Sequence, residues 1–107
     1  MKIPATFKLM GMDYECRELP VDLRENLHGL HNPADSTIYL DPTLKAQKLH
    51  ATFYHEWMHA AFEAAGREDL SENEGLVDTM GHLLYQFIKT KKGSFNTAPK
   101  VKKAIPD

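Results

Sequence analysis

Apolar and polar positions alternate through the first part of the chain. Ile3, Ala5, Phe7 and Leu9 fall on one side of an extended run, and Met12, Tyr14 and Cys16 repeat the pattern beyond Gly11. A period of two broken by glycine predicts a hairpin with one apolar face. Leu19 to Asn26 reads equally well as a strand continuation or a helical turn. A second hairpin is predicted around Asn32-Pro33-Ala34-Asp35, with proline at the second position of a type I turn. Its return strand is Ser36 to Leu40, with Ile38 and Leu40 on one side and Tyr39 on the other.

Beyond Leu40 the period lengthens. Asp41-Pro42 predicts a helix start, aspartate as N-cap and proline at the first helical position. Leu44, Leu49, Phe53, Trp57, Ala60 and Ala64 then form a stripe at three- and four-residue steps, closed by Gly66. A second helix is predicted from Ser71, with Leu76, Met80, Leu83, Leu84, Phe87 and Ile88 as its apolar face. The order sheet, sheet, helix, helix predicts an α+β fold, and Trp57, Phe53 and Phe87 are expected in its core.

Composition narrows the chemistry. A chain of 107 residues fits one domain able to bury a single core without disulfides. With only Cys16, any metal site must use histidines and carboxylates. No apolar run follows Met1-Lys2-Ile3-Pro4 and no stretch approaches a membrane span, which predicts a cytoplasmic protein. The net charge of −2 gives no strong pull toward nucleic acid. The charge is uneven, however: residues 63–78 hold Glu63, Glu68, Asp69, Glu72, Glu74 and Asp78 against Arg67, while six lysines lie from Lys89 onward. That end has one aromatic and no arginine, poor material for stacking on bases. The expected organisation is one folded domain over residues 1–92 and a lysine-rich, flexible tail over 93–107. No nucleic-acid or membrane partner is expected.

Within the first helix, "YHEWMHAAFEAAG" places His55 and His59 one turn apart on one face. Two neutral imidazoles so placed can hold one Zn²⁺, and Glu56 beside the first can serve as general base toward a metal-activated water. Three protein ligands are normal for a catalytic zinc. A third histidine downstream is ruled out, because Ala65 stands where it would be needed. Glu63 is turned away by about 80° at 100° per residue. If two antiparallel helices fold back around Gly66-Arg67, His59 faces Glu74 and His55 faces Asp78. Glu74 is then the third ligand, and Asp78 accepts the His55 ring N–H and orients it. Ser71-Glu72-Asn73-Glu74 also reads as a capping box, with Ser71 as N-cap; beside the metal motif, Glu74 is assigned to the ligand role.

"HEWMH" followed by "NEGLVD" resembles the thermolysin-like zincins, or gluzincins. With only 14 residues between His59 and Glu74, the layout is more similar to small intracellular ImmA/IrrE-type and phage-encoded metallopeptidases. The resemblance covers about residues 27–92. It implies a minimal zincin fold: a small, mainly antiparallel sheet packed on an active-site helix and a second ligand-bearing helix. It also implies peptide-bond hydrolysis, a peptide or protein substrate, and pairing of that substrate with the strand near Ser36–Leu40. Such sites use a histidine or tyrosine to stabilise the oxyanion. Candidates are Tyr39, His28, His31 and Tyr54, with Tyr39 leading because its neighbours point the other way; His28 and His31 are expected in exposed loops, and His50 and His82 on the surface. The alternative function is a zincin-like binding or regulatory module whose zinc is structural.

Overall fold

The computed structural model describes residues 2–93 and has an α+β architecture. Strands β1 (Thr6–Leu9) and β2 (Met12–Glu18) form the first hairpin, with Leu9 opposite Met12. Met10 and Gly11 between them both take positive φ, 51° and 79°. Positive φ at both loop positions marks the type I′ turn, whose twist matches that of the strands it joins. The ambiguous segment after Leu19 is a single 3₁₀ turn, Val21–Leu23. Strands β3 (Gly29–Asn32) and β4 (Thr37–Leu40) follow as an antiparallel pair.

The sheet order is β1-β2-β4-β3, with β2 and β4 parallel and the other two pairs antiparallel. Strand β4 is therefore interior, and the expectation that Ser36–Leu40 offers a free edge to substrate is corrected. Its hydrogen-bonding sides are taken by β2 and β3; the edge beside the helices is β3.

Ile38 and Leu40 point from β4 onto Phe53 of helix α1 (Ala46–Ala64), and Phe7, Leu49, Tyr54 and Trp57 pack around them. Phe7 meets Tyr14 stacked and Phe53 edge-on, at centroid distances of 5.4 and 6.1 Å. The helix starts later than Asp41-Pro42 predicts. Asp41 instead accepts hydrogen bonds from the Thr43 N–H and hydroxyl, at 2.9 and 2.6 Å, which hold residues 41–45 as a turn. Lys45 then becomes the N-cap, without a side-chain cap bond. Short Asp and Thr side chains bonding local backbone compete with helix in this way. At the other end the Gly66 N–H donates to Glu63 and the Arg67 N–H to Phe62, with Gly66 at φ 75°. This is the Schellman stop that glycine permits.

A short helix, α2 (Glu68–Ser71), precedes α3 (Glu74–Thr90). The predicted start at Ser71 is corrected: Asn73 is the N-cap of α3, its side chain accepting from the Leu76 N–H at 3.0 Å. The predicted apolar face is corrected too. Val77, Gly81 and Tyr85 are the buried positions of α3, whereas Phe87 is 62% exposed and Met80 and Leu83 are also exposed. A Cβ on Gly81 would lie 3.2 Å from the His55 Cα, the His55 N and the Tyr54 O, so α3 rests backbone to backbone on α1 there. The tail predicted over 93–107 lies, beyond Gly93, outside the described residues. Among the described residues, no helix is long and apolar enough to cross a membrane.

Candidate metal centre

The close approach at Gly81 brings the α3 carboxylates onto the α1 histidines. His59 Nε2 lies 3.1 Å from one Glu74 oxygen and His55 Nε2 lies 3.3 Å from the other. His55, His59 and Glu74 form a group that could hold a metal ion. The opposite ring nitrogens are engaged as well: His55 Nδ1 lies 3.3 Å from Asp78, and His59 Nδ1 lies 3.0 Å from the Ser71 hydroxyl. A ring that donates its Nδ1–H to the oxygen behind it turns its Nε2 lone pair toward Glu74.

That arrangement tests the fit to a cation. In that tautomer both lone pairs and the carboxylate face one point, where a cation can accept all three. With zinc–ligand bonds of about 2.0–2.1 Å, the ligand atoms of a tetrahedral site are about 3.3 Å apart. The two nitrogen–oxygen separations, each to a different Glu74 oxygen, are close to that spacing. The donor set therefore fits zinc and other divalent ions that accept nitrogen and oxygen.

Ser71 is the site residue that sequence reasoning missed. Read as a cap, it is instead buried, receiving the His59 ring N–H and donating toward Glu63 at 3.5 Å. Glu63 in turn accepts from His31 Nδ1 at 2.9 Å. The run His59, Ser71, Glu63, His31 is a hydrogen-bond chain whose donors converge on Glu63 from both ends, and it fixes one face of the site. Its role carried no sequence signal, because Ser71 reads as a helix start until α2 separates it from α3.

His31 is corrected from an exposed loop to β3, with its side chain only 4% exposed and its Nε2 without a hydrogen-bond partner among the described residues. Burial holds its imidazole below the ordinary pKa, against the pull of Glu63. Glu56 sits between the histidines and β3. Burial raises its carboxyl above the ordinary pKa, outweighing His55, His59 and a hydrogen bond from the His31 backbone N–H, which all act the other way.

The structure does not bring Tyr39 to this group. Its hydroxyl donates to Asp35 at 2.8 Å on the exposed side of the sheet, away from the face that Ile38 and Leu40 turn to α1. His28 lines the neighbouring cleft. Tyr54 meets Phe53 edge-on and stacks on Tyr85. His82 is exposed beside Asp78, at 3.6 Å, and His50 stacks on Tyr85.

His55 and Glu56 line two adjoining hollows. One, of about 600 Å³, runs toward Lys45 and Lys48; the other, of about 370 Å³, holds His59, Glu63 and Glu74. Together they make an open cleft with β3 on one side and the metal-ligand group in its floor. Comparison with family models, with curated proteins and with solved structures finds no match to this chain.

Proposed function

We propose that this chain is a zinc metallopeptidase of the gluzincin kind, with His55, His59 and Glu74 as ligands, Glu56 as general base and Asp78 orienting His55. The observation that carries the reading is the convergence of both Nε2 atoms on one carboxylate while both Nδ1 atoms are held from behind. Zinc bound there would supply Lewis-acid polarisation of a carbonyl and activate water near neutral pH.

The chain's own groups supply the rest. Glu56 is half-buried, with its pKa raised toward the working range of a base, and it lines both hollows. It takes the proton from the attacking water and delivers it to the leaving amine. The His31 N–H holds one of its oxygens toward β3, which fixes the direction of the other. The Asp41 N–H to His28 carbonyl bond at 3.0 Å sets the phase of the β3–β4 ladder. Alternation then turns the polar backbone of Gly29 and the carbonyl of His31 outward, into the cleft, where an extended peptide can pair with them. This edge replaces the one expected on β4. No candidate for the oxyanion is assigned by position.

The test compares wild type, Glu74→Gln and Glu56→Gln. Elemental analysis is expected to find one zinc per chain in the wild type and in Glu56→Gln, and a large loss in Glu74→Gln. Peptide hydrolysis is expected in the wild type alone. Zinc held normally with no hydrolysis by the wild type would instead favour a binding or regulatory module whose zinc is structural.

A further inference from the structure

The cleft is electrically lopsided about the proposed scissile position. Lys45 and Lys48 line the arm beyond His55, with His28 and His82 nearby, and neither lysine has an ion-pair partner among the described residues. The one aspartate in that arm, Asp78, is engaged by His55 and His82 at 3.3 and 3.6 Å. The opposite arm holds Glu63 and Glu74 and has no lysine or arginine in its lining.

We propose that the Lys45–Lys48 arm is a carboxylate subsite, so that the substrate is a peptide with a negative charge on the C-terminal side of the bond to be cut. This rests on the peptidase reading for the position of that bond, and on nothing else in it. The spacing follows from the helix. Lys48 precedes His55 by seven residues, about 10 Å of helix, which is about three residues of extended peptide.

The direction follows from β3. Gly29 abuts Thr52, and His31 reaches Glu63, so β3 and α1 run the same way along the cleft. A peptide pairing antiparallel to β3, the more stable mode, has its C-terminal part beside Gly29 and the lysines. The carboxylate can belong to an Asp or Glu side chain or to the end of a short peptide.

The test uses the full chain loaded with zinc and carrying Glu56→Gln, titrated by fluorescence anisotropy. Three labelled peptides share one neutral sequence: with an added glutamate and an amidated end, with a free C-terminal carboxylate, and neutral with an amidated end. The expected result is binding tighter by about five-fold or more for one or both carboxylate peptides, a gain that salt weakens. Preference for the first alone identifies a side-chain carboxylate; preference for the second alone identifies the chain end.

The same titration in K45Q/K48Q should remove the preference, and in K45E/K48E should turn it toward a lysine-bearing peptide. Equal binding of all three peptides, or a preference that persists in K45Q/K48Q, overturns the subsite. A lysine-dependent preference together with no cleavage by the wild type upholds the subsite and overturns hydrolysis. Cleavage by the wild type that is indifferent to peptide charge does the reverse.

Discussion

Gly81→Ala tests whether backbone contact between α1 and α3 positions the ligand group. The added methyl would meet three backbone atoms at 3.2 Å, and backbone cannot swing aside as a side chain can. Carbon contacts are comfortable from about 3.5 Å, so the helices must separate by a few tenths of an ångström. Overpacking of this kind costs about 1–3 kcal/mol. Alanine has better helix propensity than glycine by about 0.8–1.0 kcal/mol, which acts in the opposite sense.

Gly75→Ala removes that ambiguity. It lies in the same helix, and its methyl would meet only Asn73 Oδ1 at an ordinary 3.6 Å. The propensity gain is common to both variants, so their difference isolates the crowding. Thermal unfolding in chelator should place Gly75→Ala at or above wild type and Gly81→Ala below it. The expected gap is about 1–3 kcal/mol, each kcal/mol being about 4–8 °C in Tm for a domain of this size. With zinc present the gap should widen, because α3 carries Glu74 and Asp78. Equal stability of the two variants would refute the argument that Gly81 sets the helix separation.

Four further outcomes are expected. Ser71→Ala should weaken zinc binding by about 10–100-fold, measured by competition with a chelating dye, as loss of a partner behind a ligating histidine does. Asn73→Ala should cost about 1 kcal/mol in urea unfolding, the loss of an N-cap bond; Ser71→Ala should not reproduce that loss by uncapping α3. Tyr39→Phe should leave any hydrolysis unchanged, since its hydroxyl is spent on Asp35. Burial pushes the Cys16 thiol from 9.0 up to about 11. Thiolate is the reactive form, so alkylation near pH 8 should be slower in the native protein than in denaturant by on the order of a hundred-fold, and should accelerate as pH rises toward the native pKa.

What the sequence revealed and what it hid follow different physical rules. The pairing of His59 with Glu74 and of His55 with Asp78 could be counted, because antiparallel helices joined by a short connection place residues equidistant from the turn opposite each other. Helix α2 lengthens that connection without shifting the count. The contact face of α3 was hidden because its central member is Gly81. Hydrophobic periodicity registers side chains, and a contact made by the absence of one leaves no mark in it; Met80, Leu83 and Phe87 outweighed Val77 and Tyr85. His31 was misjudged for the converse reason. Alternation in "GLHN" favours an inward Leu30, but β4 pairs His31 with buried Ile38, and Glu63 provides the partner that makes an inward imidazole tolerable. Sheet order was invisible as well, since β4 lies between β2 and β3 by virtue of a parallel pairing that no local signal encodes.

The same geometry would make a metal bound by His55, His59 and Glu74 a clasp between helices. Glu74 is the first residue of α3 and its side chain is 69% exposed, so little packing holds it against the histidines. Without a cation, only the two ring contacts at 3.1 and 3.3 Å hold it there. An ion bound between them would tie the start of α3 to the middle of α1. Ligand linkage sets the size: at free zinc 100-fold above Kd, the gain is about 2.7 kcal/mol. In Glu74→Gln the gain should shrink sharply, whereas in Glu56→Gln it should persist, because Glu56 lies against β3 and bridges no helices. Zinc stabilisation equal in all three proteins would place the ion elsewhere and dissolve the clasp.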